Sequence, residues 1–250
     1  MERRDGEPVP RSERKPRDPA SIHAMKASPE TKRARQEWVS AATRFGYSYN
    51  FSWLGVPIIQ FPEDIVVIQE LIWSAQPDLV IETGIAYGGS LLLSASILKL
   101  LGGEREVLGI DIDIRPHARQ TLSTHPLASS ISTIEGDSVD PVVMEQVRQV
   151  RSRHDRVLVM LDSNHTQAHV SAELAFYGDL VSVGSYLVVM DTVIRDMPSE
   201  TFPDRPWNAE NSPWTAVKSF LSADDRYEAA EVNDRLLASA APDGFLVRVR

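Results

Sequence analysis

The sequence predicts an α/β protein built on a mostly parallel, doubly wound sheet, with an antiparallel pair of strands at its C-terminal edge. Three observations carry that expectation. Five short apolar runs, "DLVIET", "EVLGIDID", "ISTIEGD", "RVLVMLDSN" and "SYLVVMDTVI", recur between residues 78 and 194. Segments of helical period separate them. The runs are close to continuously apolar rather than alternating, which is the mark of strands covered on both faces.

The elements follow in order. Residues 1–30, opening "MERRDGEPVPRSERKPRDPA", are rich in charge and proline and read as a disordered or loosely packed arm. A helix is expected at about 31–44. The aromatic stretch that follows, about 46–62, contains Tyr47, Tyr49, Trp53 and Phe61. It reads as a lid that packs on the core, closes over a substrate, or does both. "PEDIVVIQELIWSAQ" starts with proline and two acids and then shows helical spacing. From there strand and helix alternate: "GGSLLLSASILKLL", "HARQTLSTH", "PVVMEQVRQVRSR" and "QAHVSAELAFYGDLV" are the helices between the five strands. A long polar loop, 196–213, precedes a helix at about 214–223. "YEAAEVN" and "GFLVRVR" then supply the antiparallel edge pair. Residues 31–250 form one domain.

Composition narrows the function. Net charge is −9, which argues against a broad nucleic-acid or anionic-membrane footprint. Cysteine is absent, which removes disulfides, thiolate catalysis and cysteine-ligated metal. No apolar run reaches the length of a membrane span, and the N-terminus is polar. A cytoplasmic protein is the expectation.

Ligands of open parallel sheets bind at the carboxyl ends of the strands. The first strand ends "IETGIAYGGS", so Glu82, Thr83, Gly84, Tyr87, Gly88 and Ser90 surround the first turn. The spacing is not GxGxxG, and an acid before the turn opposes a pyrophosphate. It suits a ligand carrying an amine and a sulfonium. The second strand ends at Asp111 and Asp113; Asp111 comes first after the apolar run and is the favoured partner of two ribose hydroxyls. The third ends at Asp137 and Ser138, placed to meet an adenine edge. Together these strand ends describe a site for S-adenosylmethionine. The alternative is three ordinary turns with capping acids.

The fourth strand ends "LDSNHTQAH" and the fifth "VVMDT". Adjacent strand ends lie about 4.8 Å apart, so Asp162 and Asp191 can converge on one hard cation such as Mg²⁺. His165 follows Asp162 by three residues and is the candidate general base. His169 is a weaker candidate ligand, and Asn164 a helix cap or ligand contact.

These residues also carry a resemblance. "NFSWLGVPIIQFPEDIVVIQELIW", "IETGIAYGGSLLLSAS", "GIDIDIRPH", "LDSNHTQAHV", "VSVGSYLVVMDT", "RPWNAENSPWTAV" and "APDGFLVRV" resemble, in order, the cephalosporin hydroxylase/rhamnosyl O-methyltransferase family. The resemblance implies a Rossmann-like class I methyltransferase fold, S-adenosylmethionine, Mg²⁺, and transfer to a sugar hydroxyl. The implied acceptor is a deoxysugar such as rhamnose, nucleotide-linked or in a natural-product glycoside. Asp162 and Asp191 would hold the metal and His165 would take the proton. Relatives carry an acidic pair where this chain has Met190-Asp191, which leaves the third ligand to water, Asp196 or a carbonyl. Tyr47, Tyr49, Trp53, Trp207 and Asn208 are candidate walls of the acceptor pocket, and Arg205 a candidate diphosphate contact. The lid segment is placed to pack across the interface of a homo-oligomer. Two rival expectations are an NAD(P)-dependent oxidoreductase on a similar sheet and a methyltransferase-like partner protein without catalysis.

Overall fold

A computed structural model describes residues 15–250. Residues 1–14 of the expected N-terminal arm lie outside that range. Two helices open the described chain, α1 (Pro19–Ala27) and α2 (Pro29–Thr43), so helix starts well before residue 31. Local chemistry explains the earlier start. Asp18 accepts from the Ser21 amide and Ser28 from the Thr31 amide, each followed by proline at the first helical position.

The aromatic segment holds a small hairpin, β1 (Phe51–Trp53) and β2 (Val56–Ile58), which the sequence pattern did not reveal. Its two-residue turn places Leu54 and Gly55 at φ 48° and 87°, as a primed turn requires. Tyr47 packs edge-on against Trp38 and Phe51, fastening the segment to α2.

The remainder is α3 (Pro62–Ala75), β3 (Leu79–Thr83), α4 (Gly89–Leu101), β4 (Glu106–Asp111), α5 (Pro116–Thr124), β5 (Ile131–Glu135), α6 (Pro141–Arg151), β6 (Val157–Leu161), α7 (Gln167–Tyr177), β7 (Tyr186–Val189), α8 (Pro213–Ala223), β8 (Tyr227–Ala229) and β9 (Phe245–Arg248). The large sheet runs β5-β4-β3-β6-β7-β9-β8. Strands β3 to β7 are parallel, and β9 and β8 complete the edge antiparallel. The chain leaves β3 in one direction and returns to β6 on its other side. That reversal is the switch point at which a doubly wound sheet opens a crevice.

The pleat divides the core. Val80 and Leu158 face α3, α4 and the hairpin. Leu79, Ile81, Val157, Val159 and Leu161 face α6, α7 and α8. Every residue of β3 and β6 is buried, because helices cover both faces. Helix α4 is buried on nearly all sides, caught between sheet and hairpin.

Candidate functional site

A cavity of about 750 Å³ opens over the carboxyl ends of the parallel strands, within the range of small-molecule sites. Its wall combines the glycine turn, the ends of β4, β6 and β7, the lid segment and the loop before α8.

The floor is set by backbone that nearly touches. A Cβ on Gly84, at φ +89°, would lie 2.0 Å from the Asp162 carbonyl oxygen. A Cβ on Gly89 would lie 2.3 Å from the Pro57 carbonyl oxygen. Only glycine lets the turn, the end of β6 and the hairpin meet here. The Asp162 amide donates to the Thr83 carbonyl at 2.9 Å, tying the first and fourth strand ends.

Glu82 is 2% exposed and points to the α4 side of the sheet. It accepts from Ser90 Oγ, while its Oε2 has no partner. Burial drives its carboxyl up to about 8, against the opposing pull of Ser90. Ser90 and Gly84 line the cavity, and Glu82 sits directly behind Ser90. Asp111 also lines it, but its Oδ2 is held by the Ile85 amide at 2.8 Å and its Oδ1 by the Asp113 amide at 3.0 Å. Tyr87 lines the same wall with its ring 5.0 Å from that of His117. Thr83 and Gly88 do not line the cavity; the Thr83 carbonyl accepts from the Asp162 amide and the Gly88 carbonyl from the Leu92 amide.

Opposite the turn, Asp162, His165 and Asp191 offer ligand atoms that all lie within 4.8 Å of one another. His165 Nε2 is 3.0 Å from Asp191 Oδ2 and 3.8 Å from Asp162 Oδ1. Burial lowers the imidazole pKa, but the charges and hydrogen bonds of Asp191 and Asp162 outweigh it and hold the ring at about 10. Burial raises Asp162 to about 7 even with His165 beside it. Asp191 reaches the cluster from a left-handed backbone, φ 56°, at the end of β7. Two bonds brace its turn: the Val193 amide to the Ala240 carbonyl at 3.1 Å, and Thr192 Oγ1 to the Pro242 carbonyl at 2.7 Å. Glu63 and Asp64 at the start of α3 hold residues 237–240 in turn, through the amides of Leu237, Ala238 and Ala240 and the hydroxyl of Ser239.

Several expected residues lie elsewhere. Asp196 is paired with Arg35 and Arg195, outside the cluster, so His165 and not Asp196 stands third beside the two acids. Asp137 and Ser138 are not part of the cavity wall. Ser138 is 5% exposed, with its hydroxyl given to Glu173 at 2.6 Å, because α7 draws this loop inward. Trp53 donates to Ser96 on α4 at 3.0 Å, and Asn208 caps its own loop through the amides of Glu210 and Asn211. Neither reaches the cavity, whereas Tyr49, Arg205 and Trp207 do. The Trp207 ring lies 4.8 Å from the His165 ring and its Nε1 has no partner. Sequence reasoning missed Gln60, 3% exposed in the cavity wall with a partnerless Oε1. A polar residue between "PII" and "FPED" in an otherwise apolar stretch was the available signal.

Known proteins bear on this geometry. The rhamnosyl O-methyltransferase/CmcI family matches residues 45–249. The chain belongs to that family. A rhamnosyl O-methyltransferase of Mycobacterium bovis (strain BCG / Pasteur 1173P2) is 30% identical over 203 residues, covering 79% of this chain and 78% of the relative. One of Mycobacterium leprae is 32% identical over 202 residues, covering 79% and 82%. Among solved structures, a CmcI described as its Mg–SAM form superposes with a TM-score of 0.61 at 20% identity, covering 81% of this chain and 78% of that one. An O-methyltransferase from Bacillus cereus in complex with SAH gives 0.51 at 14% identity, covering 79% and 82%. The fold is that of the class I methyltransferases. No helix among the described residues is long and apolar enough to cross a membrane.

Proposed function

We propose that this protein is an S-adenosylmethionine- and Mg²⁺-dependent O-methyltransferase acting on a sugar hydroxyl. The observation that carries the proposal is the convergence of Asp162, His165 and Asp191 across one cavity from the glycine turn at Gly84. Family membership points the same way. The acceptor we favour is a deoxysugar of the rhamnose kind, nucleotide-linked or within a glycoside, since the curated relatives carry rhamnosyl in their names.

The residues fit both groups. For the donor, Glu82 leaves one buried oxygen without a partner behind Ser90, and the turn leaves no space for a side chain at Gly84. Ser90 and Glu82 would take the amino end, Asp111 the ribose. The donor supplies a methyl group activated by a sulfonium. For the metal, the carboxylates of Asp162 and Asp191 suit a hard divalent cation, with His165 beside them as the base. The cation supplies charge that acidifies a hydroxyl bound beside it.

The protein's own part is placement and proton transfer. Trp207 packs against the base, and Tyr49 lines the same cavity. His165 Nε2 faces two carboxylates and is held protonated by them. Once those carboxylates are neutralised, the ring loses the charges that keep its proton and becomes able to accept one from the acceptor hydroxyl. Base catalysis of this sort contributes about 10²–10⁴-fold. Alignment of oxygen with methyl carbon contributes more.

The test is calorimetric titration of S-adenosylmethionine into metal-stripped protein, repeated with Mg²⁺. Methyl rhamnoside and dTDP-rhamnose are then screened for a one-methyl mass gain. Donor binding, and a mass gain that is lost in His165→Ala, is expected. Absence of donor binding with or without metal overturns the proposal.

A further inference from the structure

Helix α7 presents three polar side chains on one face at successive turns: His169, Glu173 and Tyr177. None of the chemistry above uses them, yet Glu173 and Tyr177 are wholly buried. A buried carboxylate is expensive unless it is bonded. Glu173 Oε1 is bonded twice. It accepts from Ser138 Oγ at 2.6 Å and from Ser163 Oγ at 2.7 Å. Both hydroxyl protons are thereby committed to Glu173, so His169 Nε2, 3.0 Å from Ser138 Oγ and 3.2 Å from Ser163 Oγ, donates to them from outside. Tyr177 completes the set by donating to the Ser138 carbonyl at 2.8 Å.

The two serines belong to different loops. Ser138 follows β5, and Ser163 stands between Asp162 and His165 after β6. One carboxylate oxygen therefore joins the loop after β5 to the loop carrying a metal ligand and the base.

We infer that Glu173 is a positioning residue, clamping Ser163 to Ser138 so that Asp162 and His165 face Asp191. The inference rests on the metal site proposed above. Asp162 is tied to the sheet by its amide, but among the described residues its side chain has no anchor besides His165. Ser163 is the neighbour that fixes the loop's direction, and among the described residues its hydroxyl is anchored by the α7 face alone. His165 lies two residues further on, where the loop turns into α7 through the Thr166 amide bond to Asn164 Oδ1 at 2.9 Å. A loop pinned at both ends presents its acid and its imidazole at fixed separation. Groups standing behind metal ligands in this way typically contribute 10–100-fold to metal affinity.

The experiment uses the full-length protein and Mn²⁺ as the probe, with binding followed by paramagnetic resonance and calorimetry and the melting temperature recorded for each variant. Ser163→Ala is expected to weaken Mn²⁺ about tenfold with little change in melting temperature. Ser138→Ala touches no proposed ligand, yet is expected to weaken Mn²⁺ measurably through the shared oxygen. Glu173→Gln keeps an accepting oxygen and is expected to stay within a few-fold of wild type, whereas Glu173→Leu removes the clamp. Unchanged Mn²⁺ affinity in Ser138→Ala overturns the clamp, as does a loss that simply follows melting temperature across the set. A wild type that binds no Mn²⁺ overturns the metal site and the clamp's purpose together.

Discussion

Donor binding is expected to release a proton, and Glu82 is the source. The carboxyl is fully buried, accepts one hydroxyl and leaves Oε2 without a partner, so burial holds it near 8. At pH 6.5 it is almost wholly protonated in the free protein, and the donor's α-amino group is almost wholly charged. An ammonium arriving at Ser90 gives the carboxylate the counter-charge it lacks, and the group ionises. About one proton leaves per donor bound. Apparent affinity then rises about tenfold per pH unit below the free-state pKa and levels off above it. The sign follows from the free protein holding the extra proton. The assay is titration of S-adenosylhomocysteine into metal-free protein at pH 6.5, in cacodylate and in Bis-Tris. The slope of heat against buffer ionisation enthalpy is the proton count. Glu82→Gln cannot ionise and is expected to release none, to lose the pH dependence, and to bind about 10–100-fold more weakly at pH 8. A wild-type count near zero, or an equal count in Glu82→Gln, refutes the assignment of the amino end to Glu82.

Three further outcomes are expected. Gly84→Ala places a Cβ 2.0 Å from the Asp162 carbonyl at a left-handed φ, and is expected to abolish donor binding and cost on the order of 4 kcal/mol in urea unfolding. Asp64, buried at the start of α3 and raised to about 7, holds its proton more tightly folded than unfolded. Its contribution is therefore present at low pH and is lost as pH rises through 7, by about 2.5 kcal/mol between pH 5 and 8; Asp64→Asn removes that slope from the pH dependence of unfolding. Gln60→Leu, which removes a partnerless buried oxygen from the cavity wall, is expected to raise the KM of donor or acceptor about tenfold while leaving melting temperature within a few degrees.

The succession of strands and helices was legible because buried parallel strands leave a continuous apolar record, and each strand end announced itself by the first acid after the run. Asp162, His165 and Asp191 were found in this way. The same rule placed Ser138 at a ligand because strand-end position is visible in sequence, whereas the direction of a side chain after the strand is not. What turned Ser138 inward was Glu173, 35 residues away on a helix face whose spacing signals only that three polar groups align. The hairpin escaped notice because its strands are three residues long and one contains proline. Trp53 was read as a substrate wall from its company of aromatics, but its indole N–H found a hydroxyl on α4. Buried aromatics with a polar edge seek such partners wherever they pack.

The resemblance implies an acidic pair where this chain has Met190-Asp191, and the structure shows where each of the two stands. Met190 is 3% exposed, packed on the α3 and α4 core and bordering the cavity beside Asp191, whose left-handed backbone brings its acid to the cluster. The cluster thus contains two carboxylates. A divalent cation held there would balance them, and their charge would then no longer hold His165 in its charged form. A third carboxylate at this spot would leave one negative charge uncompensated beside the ring, in a setting where burial already magnifies every charge. That charge would keep the imidazole protonated further up the pH range. With methionine at 190 the metal would have one strong ligand fewer than an acidic pair supplies, and the base would be freer to accept a proton near neutrality, so Met190 fits a catalytic site as readily as a retired one.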